Sequence, residues 1–168
     1  MDEYLERVRA VLGDAVIDSH AYLGDATVLV ERERVLEALR TLRDHTELRF
    51  NMLMDLTAVD YLGQEPRFEV VYHLASVEVE LHGTEPSRLR HRLRVKTRVP
   101  EDPCTLDSAV ELWPAADWME REAWDLYGVR FNGHPDLRRI LLYEEFEGHP
   151  LRKDYPKERR QPLVGPRN

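Results

Sequence analysis

The stretch RFEVVYHLASVEVELHGTEPSRLRHRLRVKTRV, residues 67–99, alternates apolar with polar or charged side chains over most of its length. Successive side chains of a strand point to opposite faces, so one face collects the apolar set Phe68, Val70, Tyr72 and Leu74. In a following run, Val77, Val79 and Leu81 alternate with Glu78, Glu80 and His82. A turn at residues 83–86 precedes a last alternating run at 89–99. This pattern predicts an antiparallel sheet with one buried face and one solvent-exposed face.

The residues before this stretch predict two helices and further strands. Residues 2–12 repeat apolar side chains at helical spacing, with Asp2 as a start signal and Gly13 as a stop. Strands are predicted at 15–18 and 27–30, a second helix at 31–43, and another strand within 48–60. This order predicts an α+β fold for residues 1–100: a two-layer domain with an antiparallel sheet and two helices.

The character of the chain changes at Pro100. Residues 101–142 form a helical segment in our interpretation, with a short helix at 107–112 and a longer one at 115–127. Residues 143–168 are predicted to be an extended C-terminal arm, since prolines recur there and apolar residues are sparse. Arms of this kind usually become ordered on a neighbouring protein.

Composition excludes several classes of function. The chain has 168 residues, of which 42% are hydrophobic and 33% charged, a folded composition. A net charge of −8 argues against general binding to nucleic acid. One cysteine, Cys104, cannot form an internal disulfide or a cysteine cluster for zinc or iron–sulfur.

Motifs for cofactors and membrane insertion are also missing from the sequence. The chain has no Gly-x-Gly-x-x-Gly or Walker loop, no His-Glu-x-x-His pair and no serine-nucleophile elbow. No apolar run approaches the roughly 18 residues of a membrane-spanning helix, and the acidic start does not resemble a signal peptide. We therefore expect no cofactor, no metal and no direct membrane insertion in this chain.

Six basic residues occupy every second position of the last predicted strand: Arg88, Arg90, Arg92, Arg94, Lys96 and Arg98. A strand points all of them to one face. The favoured interpretation is a charge ladder with Glu78 and Glu80 of the preceding strand, completed by an acidic protein partner. The alternative is an RNA-binding face, which the net charge opposes.

All three tryptophans of the chain fall within residues 113–131. On the helix predicted there, Arg121 has Asp117 four residues before it and Asp125 four residues after it, so both carboxylates can reach it. Asp125 lies in the last turn, where the helix dipole disfavours an anion, which predicts partners elsewhere in the chain. The candidates are Arg130, Arg138 and Arg139. The residues alone leave packing, a protein interface and catalysis by Glu120 or Glu122 open.

The run EREAWDLY at residues 120–127, followed by His134, Arg138 and the aliphatic pair at 140–141, resembles the signature of the C-subunit family of complex I, the "30 kDa" subunit of NADH:quinone oxidoreductase. The sequences at 112–118 and 148–156 also fit that family. The similarity extends over residues 1–156 in layout and is most specific in 112–156.

This resemblance implies a cofactor-free scaffold subunit in the peripheral arm of a proton-translocating complex, with FMN and iron–sulfur clusters carried by other subunits. The implied partners are the quinone-site D subunit and the iron–sulfur B and I subunits, in a hetero-oligomer. The implied location is the cytoplasmic side of the cell inner membrane. The isolated chain is expected to have no activity. An equivalent subunit of a membrane-bound hydrogenase, a coenzyme F420-oxidising dehydrogenase or an NDH-type complex is the alternative.

The resemblance also assigns the residues expected at the interface with partner subunits. They lie on the longer helix, just after it and in the arm: Trp113, Trp118, Glu120, Arg121, Glu122, Trp124, Asp125, Tyr127, His134, Arg138, Arg139, Arg152, Lys153, Asp154 and Tyr155.

Overall fold

The computed structural model of the chain describes residues 2–78 and 88–162. Three helices and seven strands follow one another in these ranges: α1 (Asp2–Leu12), β1 (Val16–Tyr22), β2 (Asp25–Val30), α2 (Val35–Asp44), β3 (Met52–Asp60), β4 (Phe68–Glu78), β5 (Arg88–Val99), β6 (Thr105–Asp107), α3 (Ala116–Tyr127) and β7 (Arg130–Asn132). Val79, Glu80, Leu81 and the turn predicted at 83–86 lie outside the described residues.

Five strands form the main sheet in the order β1-β2-β5-β4-β3. Neighbouring strands are antiparallel except for β2 and β5, which run parallel with Thr27 beside Arg94 and Val30 beside Thr97. The predicted α+β fold is confirmed, whereas the parallel pair was not predicted. Alternation along a strand has the same period in both kinds of pairing, so it cannot reveal strand direction.

Helices α1 and α2 cover one face of this sheet. Val8 and Leu12 of α1, with Leu39 and Leu42 of α2, are buried in a cluster that includes Tyr72 of β4. These helix positions follow the three- and four-residue spacing that places side chains on one helix face. Each fully buried side chain of this size stabilises the fold by about 1.5–3 kcal/mol, so the two layers hold together mainly through this cluster.

The opposite face of the sheet, which we call the open sheet face, carries Arg92, Arg94, Lys96 and Arg98 of β5. A register shift opposite Ser76 and Val77 breaks the alternation before Arg92, so the prediction that all six basic side chains share one face is wrong. Glu78 pairs with Arg90 at 3.2 Å, as the charge ladder predicts, while Glu69 of β4 pairs with Lys96 at 2.7 Å. Val71 is 5% exposed on this face. It lies beside Lys96 in the central strand pairing, so the long charged side chains cover it.

The segment before α3 differs from the prediction. A short helix was expected at 107–112, but residues 105–107 form β6, which pairs in parallel with β7, and residues 110–112 form a turn. The cause is a tertiary contact: the Glu120 carboxylate accepts hydrogen bonds from the Ser108 hydroxyl and the Ala109 N–H, both at 2.7 Å. Helix α3 ends at Gly128, where φ is +82°, as predicted.

Helix α3 lies on the same side of the sheet as α1 and α2. Its Ala116 and Ala123 are buried in the cluster that holds Leu56 of β3 and Phe68 of β4. Among the described helices, none is long and apolar enough to cross a membrane.

Candidate functional site

A buried carboxylate, Asp125, joins α3 to the segment that follows it. Its Oδ1 accepts a hydrogen bond of 2.6 Å from Arg139, and its Oδ2 accepts the backbone N–H groups of residues 140–142 at 2.9–3.1 Å. Burial opposes ionisation, but the backbone donors and Arg139 outweigh it and hold the pKa of Asp125 below its usual value. The helix dipole disfavours the Asp125 carboxylate in the last turn of α3, and donors outside the helix compensate for this, as predicted. Arg139 is the partner among the candidate arginines.

Arg121 takes a different set of partners from the predicted pair of carboxylates. Its guanidinium lies 3.9 Å from Asp117, but it turns away from Asp125 and donates to the backbone carbonyls of Arg138 and Arg139 at 3.2 Å each. It also lies 5.9 Å from the ring centroid of Trp118. The expectation that Arg121 bridges both carboxylates is wrong, because Asp125 is already saturated by donors from the following segment.

The side chain of Arg139 extends the same network into the arm. Its Nη2 donates to the carbonyls of Phe146 at 2.7 Å and Gly148 at 3.1 Å. Its guanidinium lies 5.6 Å from the ring centroids of both Trp124 and Phe146. One arginine thus binds the end of α3 and the start of the arm together.

Two histidines bind backbone groups in this region. His134 Nε2 lies 3.1 Å from the Asp117 carbonyl, and its Nδ1 accepts the Asp136 N–H at 3.0 Å. A neutral ring protonated on Nε2 satisfies both contacts. His149 Nδ1 lies 3.0 Å from the Asp125 carbonyl, and burial lowers the pKa of this imidazole. Both rings therefore act as positioning groups within the chain.

Glu120 is a second buried carboxylate of α3, with 0% exposure. Burial raises its pKa to about 7, even though Ser108 and Ala109 donate to it and so lower the pKa. Because its oxygens are enclosed and used to hold the 108–109 segment, Glu120 cannot reach a substrate. The structure therefore gives no support to hydrolysis by Glu120. Its carboxylate instead connects residues 108–109 to α3 through hydrogen bonds.

A third cluster fixes the arm to the sheet. The Arg67 side chain, 3% exposed, makes two hydrogen bonds of 2.9 Å to Asp60, two of 2.7–2.9 Å to Asp154, and one of 2.7 Å to Glu101. Arg67 holds the pKa values of Asp60 and Asp154 below their usual range. The Lys153 N–H adds a bond of 2.8 Å to Asp60. The arm is therefore bound here to its own chain.

Further contacts fix the arm along α3. The Leu151 N–H donates to the Leu126 carbonyl at 3.1 Å, and Arg152 Nε donates to the Tyr127 carbonyl at 2.5 Å. A Cβ at Gly128 would lie 2.6 Å from the Arg152 guanidinium, so only glycine allows this approach.

Four apolar side chains remain exposed around this network: Trp118 at 68%, Leu141 at 61%, Leu151 at 49% and Tyr143 at 38%. We call them the α3–arm surface. Trp118 contacts Arg121, whose bonds lead to the backbone just before Leu141. Leu151 is held beside α3 by its bond to Leu126. The internal network thus positions an exposed apolar surface.

The structure divides the predicted interface residues into three groups. One group is buried inside the chain: Trp113, Glu120, Asp125 and His134. Most of the others are half-buried on internal partners: Arg121, Trp124, Tyr127, Arg139, Arg152 and Tyr155. The exposed members are Trp118, Glu122, Arg138, Lys153 and Asp154. For these, an interface role stays a prediction.

Arg67 and Asp60 were not among the predicted site residues. They lie on either side of the 61–66 connection between β3 and β4, and the Tyr61 N–H donates to the Arg67 carbonyl at 2.8 Å. Opposite charges flanking a predicted hairpin are a signal that could have found this pair. Leu141, Tyr143 and Leu151 were missed as surface residues because exposure is set by the tertiary contacts.

No group of three or more His, Cys, Asp or Glu side chains suited to a metal ion is present within residues 2–78 and 88–162.

These features define a class of protein: an α+β chain whose C-terminal segments are fastened by internal ion pairs and leave Trp118, Leu141, Tyr143 and Leu151 exposed. Comparison with known proteins then supplies the family. The chain belongs to the family described as "Respiratory-chain NADH dehydrogenase, 30 Kd subunit", whose model matches residues 28–161. The resemblance inferred from the 120–141 signature is confirmed.

Individual relatives agree with this assignment. The C subunit of NADH-quinone oxidoreductase from Citrifermentans bemidjiense is 47% identical over 161 residues, covering 95% of this chain and 92% of that protein. The protein of the same name from a Roseiflexus species is 49% identical over 152 residues, covering 90% of this chain and 82% of the other.

Two solved structures share the fold. A trypsin-resistant fragment (1-134) of Nqo5 aligns with a TM-score of 0.64 at 33% identity, over 81% of this chain and 98% of the fragment. A chain of an archaeal membrane-bound sulfane sulfur reductase aligns with a TM-score of 0.73 at 24% identity, over 94% and 86% of the two chains. The second similarity concerns the fold alone.

Proposed function

We propose that this chain is a cofactor-free assembly subunit of the peripheral arm of a proton-translocating NADH:quinone oxidoreductase, which it supports by binding neighbouring subunits. The observation that carries the proposal is the α3–arm surface, which lies within the region matched by the family of the 30 kDa subunit. Aromatic side chains beside arginine are typical anchors of protein interfaces, and Trp118 with Arg121 fits that description.

The network beneath the surface supports the same proposal. Asp125, Arg139 and Arg67 are saturated by internal partners, so they hold the backbone of residues 138–154 before a partner binds. A preorganised surface loses less conformational entropy on binding. The buried residues act as positioning groups, and the four exposed apolar side chains make the contact.

The partners proposed are the quinone-site D subunit and the iron–sulfur B and I subunits, on the cytoplasmic side of the cell inner membrane. FMN and the iron–sulfur clusters reside in other subunits, and the isolated chain has no oxidoreductase activity. Relatives at 42–49% identity are named as the C subunit of NADH-quinone oxidoreductase, which favours this complex over the related hydrogenase and coenzyme F420 complexes.

A tagged pull-down from membranes dissolved in mild detergent, read by mass spectrometry, tests this function. We expect recovery of a quinone-site subunit, ferredoxin-type iron–sulfur subunits and a flavin-containing NADH-oxidising module. Recovery of a nickel hydrogenase or a coenzyme F420-oxidising subunit would assign the chain to a related complex. Recovery of the chain alone as a stable monomer would contradict the proposal.

Variants test the surface itself. Trp118→Ser combined with Leu141→Ser removes exposed apolar area without touching the internal hydrogen bonds, and we expect it to lower the recovered partners at least about tenfold. Leu62→Ser is the matched control, since Leu62 is 48% exposed in the connection between β3 and β4. Equal loss in both variants would exclude a specific role for the α3–arm surface.

A further inference from the structure

A trough of about 350 Å³ crosses the open sheet face at the level of His73. It spans four strands. The side chains that line it include Asp25 on β2, Arg92 and Arg94 on β5, His73 on β4, and Met54 and Asp55 on β3. No described helix covers this face, since α1, α2 and α3 all pack on the other one. The trough is thus a separate surface from the α3–arm surface.

The basic groups of the trough lie on β5, and its two carboxylates, Asp25 and Asp55, lie on the strands to either side. Arg92 and Arg94 share a single carboxylate, Asp25, at 3.3 Å and 3.7 Å. The side chain of Arg92 is 60% exposed, and that of Arg94, which donates to the Thr27 hydroxyl, is 30% exposed. Two guanidinium groups on one partly exposed carboxylate leave donors for a second anion.

Further along β5, basic side chains again outnumber the carboxylates that pair with them. Lys96 is satisfied by Glu69, but Arg98 lies exposed at the end of the strand and makes no ion pair among the described residues. Four basic residues between positions 92 and 98 therefore have two carboxylates in direct ion pairs. With Asp55 counted, this region has four basic and three acidic side chains, whereas the whole chain has a net charge of −8.

The far side of the trough carries one exposed carboxylate, Asp55, beside a histidine and an apolar side chain. His73 is kept neutral at pH 7, because burial and the neighbouring Arg94 lower the pKa of its imidazole. Met54, at 44% exposure, supplies an apolar rim where β3 bulges. The arginines of β5 and the apolar Met54 side chain suit a chain segment that carries both carboxylates and an apolar side chain.

We propose that the open sheet face binds an acidic, extended segment of a neighbouring protein subunit, with its carboxylates on Arg92, Arg94 and Arg98 and an apolar side chain against Met54. The inference rests on the proposed function, in which the chain has several partners, and it adds a second surface on the opposite side of the sheet. A scaffold with two such faces holds two partners at once.

RNA is the competing ligand for a basic face, and the structure disfavours it. Asp25, Asp55 and Glu69 interrupt the basic residues, so a phosphate backbone, which is charged at every nucleotide, would have to pass them. A protein segment with a few separate carboxylates can place these on Arg92, Arg94 and Arg98 alone. The side chains that line the trough include no phenyl, phenol or indole ring on which bases could stack.

Site-specific photo-cross-linking in the assembled complex tests the inference. Asp55, at the rim, is replaced by a photo-reactive phenylalanine derivative, and the cross-linked peptide is identified by mass spectrometry after purification in mild detergent. We expect a peptide rich in Asp and Glu, with a yield that falls when salt is raised to about 0.5 M. A cross-link to RNA, a cross-link to a peptide without acidic residues, or no cross-link would overturn the inference.

Charge variants in the same cross-linking assay separate binding from folding. Arg92→Glu with Arg94→Glu is expected to reduce the cross-link at least about tenfold, and Arg9→Glu on α1 is the matched control with the same change per residue. Asp25→Asn is expected to increase the yield, because it removes the internal competitor for both arginines. A decrease with Asp25→Asn would contradict the inference.

The two proposals fail in different ways. If the chain is not part of a complex, the pull-down recovers no partners from any variant. If the complex forms through the α3–arm surface but position 55 gives no acidic cross-link, only the open-face inference fails. If the double variant does not fold, Arg92→Gln, a milder change at an exposed side chain, takes its place in the cross-linking assay.

Discussion

Replacing Asp125 by alanine should strongly destabilise the chain. The substitution removes the acceptor for the Arg139 guanidinium, whose side chain is 12% exposed, and for the three N–H groups of residues 140–142. Breaking a buried ion pair by deleting one member costs about 3–5 kcal/mol. Leu141 as a residue is 61% exposed, so we count the lost amide bonds at no more than about 1 kcal/mol in total. We therefore expect a loss of about 4 kcal/mol.

Urea denaturation followed by circular dichroism measures this loss as a change in the free energy of unfolding. For a chain of this size the melting temperature should fall by about 8–16 °C. Glu122→Ala is the control on the same helix: its side chain is exposed, and we expect a change within about 0.5 kcal/mol. Arg139→Met should cost less than Asp125→Ala, about 2–3 kcal/mol, since the carboxylate keeps its backbone donors. A loss below about 1 kcal/mol for Asp125→Ala would refute the reasoning.

Three further predictions concern Gly128 at the end of α3, the buried Glu120 and the arm. Gly128→Ala should cost at least about 1 kcal/mol more than Gly133→Ala in urea denaturation, because both positions have a positive φ but only at Gly128 does a Cβ clash with Arg152. The pKa of Glu120 is about 7 in the folded chain and 4.5 in the unfolded chain, so its contribution to stability is present below pH 4.5 and is lost as pH rises to 7. Glu120→Gln should abolish this loss. Urea denaturation across pH should show its free energy of unfolding equal to or above that of the unsubstituted chain at about pH 8. Arg67→Met should leave a buried carboxylate unpaired, cost about 3–5 kcal/mol and speed hydrogen exchange in residues 151–155.

The helices and strands of residues 1–100 could be predicted because their patterns are local. The spacing of Val8 and Leu12 defines α1, and the alternation around Tyr72 defines β4. The parallel pairing of β2 with β5 could not be predicted, since it depends on which strand enters between two others. The missing helix at 107–112 has the same origin, because Glu120, eleven residues beyond Ala109, captures that segment.

The site could be predicted only in part. The helix dipole made a partner outside the helix predictable for Asp125, and Arg139 was among the candidates. Asp125 pairs with Arg139 rather than Arg121 because of the way residues 138–142 return across α3. The spacing of residues along the helix does not contain this information. The attachment of the arm to its own chain through Arg67 was unpredictable for the same reason, since Asp154 lies 87 positions away in sequence.

The most direct test of the proposed function is the amount of assembled complex in membranes that lack this chain. Membranes from a deletion strain are separated on a native gel and stained for NADH oxidation, and NADH:quinone activity is measured in parallel. We predict loss of the assembled complex and of the activity, both restored by the unsubstituted chain and not by Trp118→Ser with Leu141→Ser. A normal amount of active complex in the deletion strain would contradict the proposal that this chain is an assembly subunit.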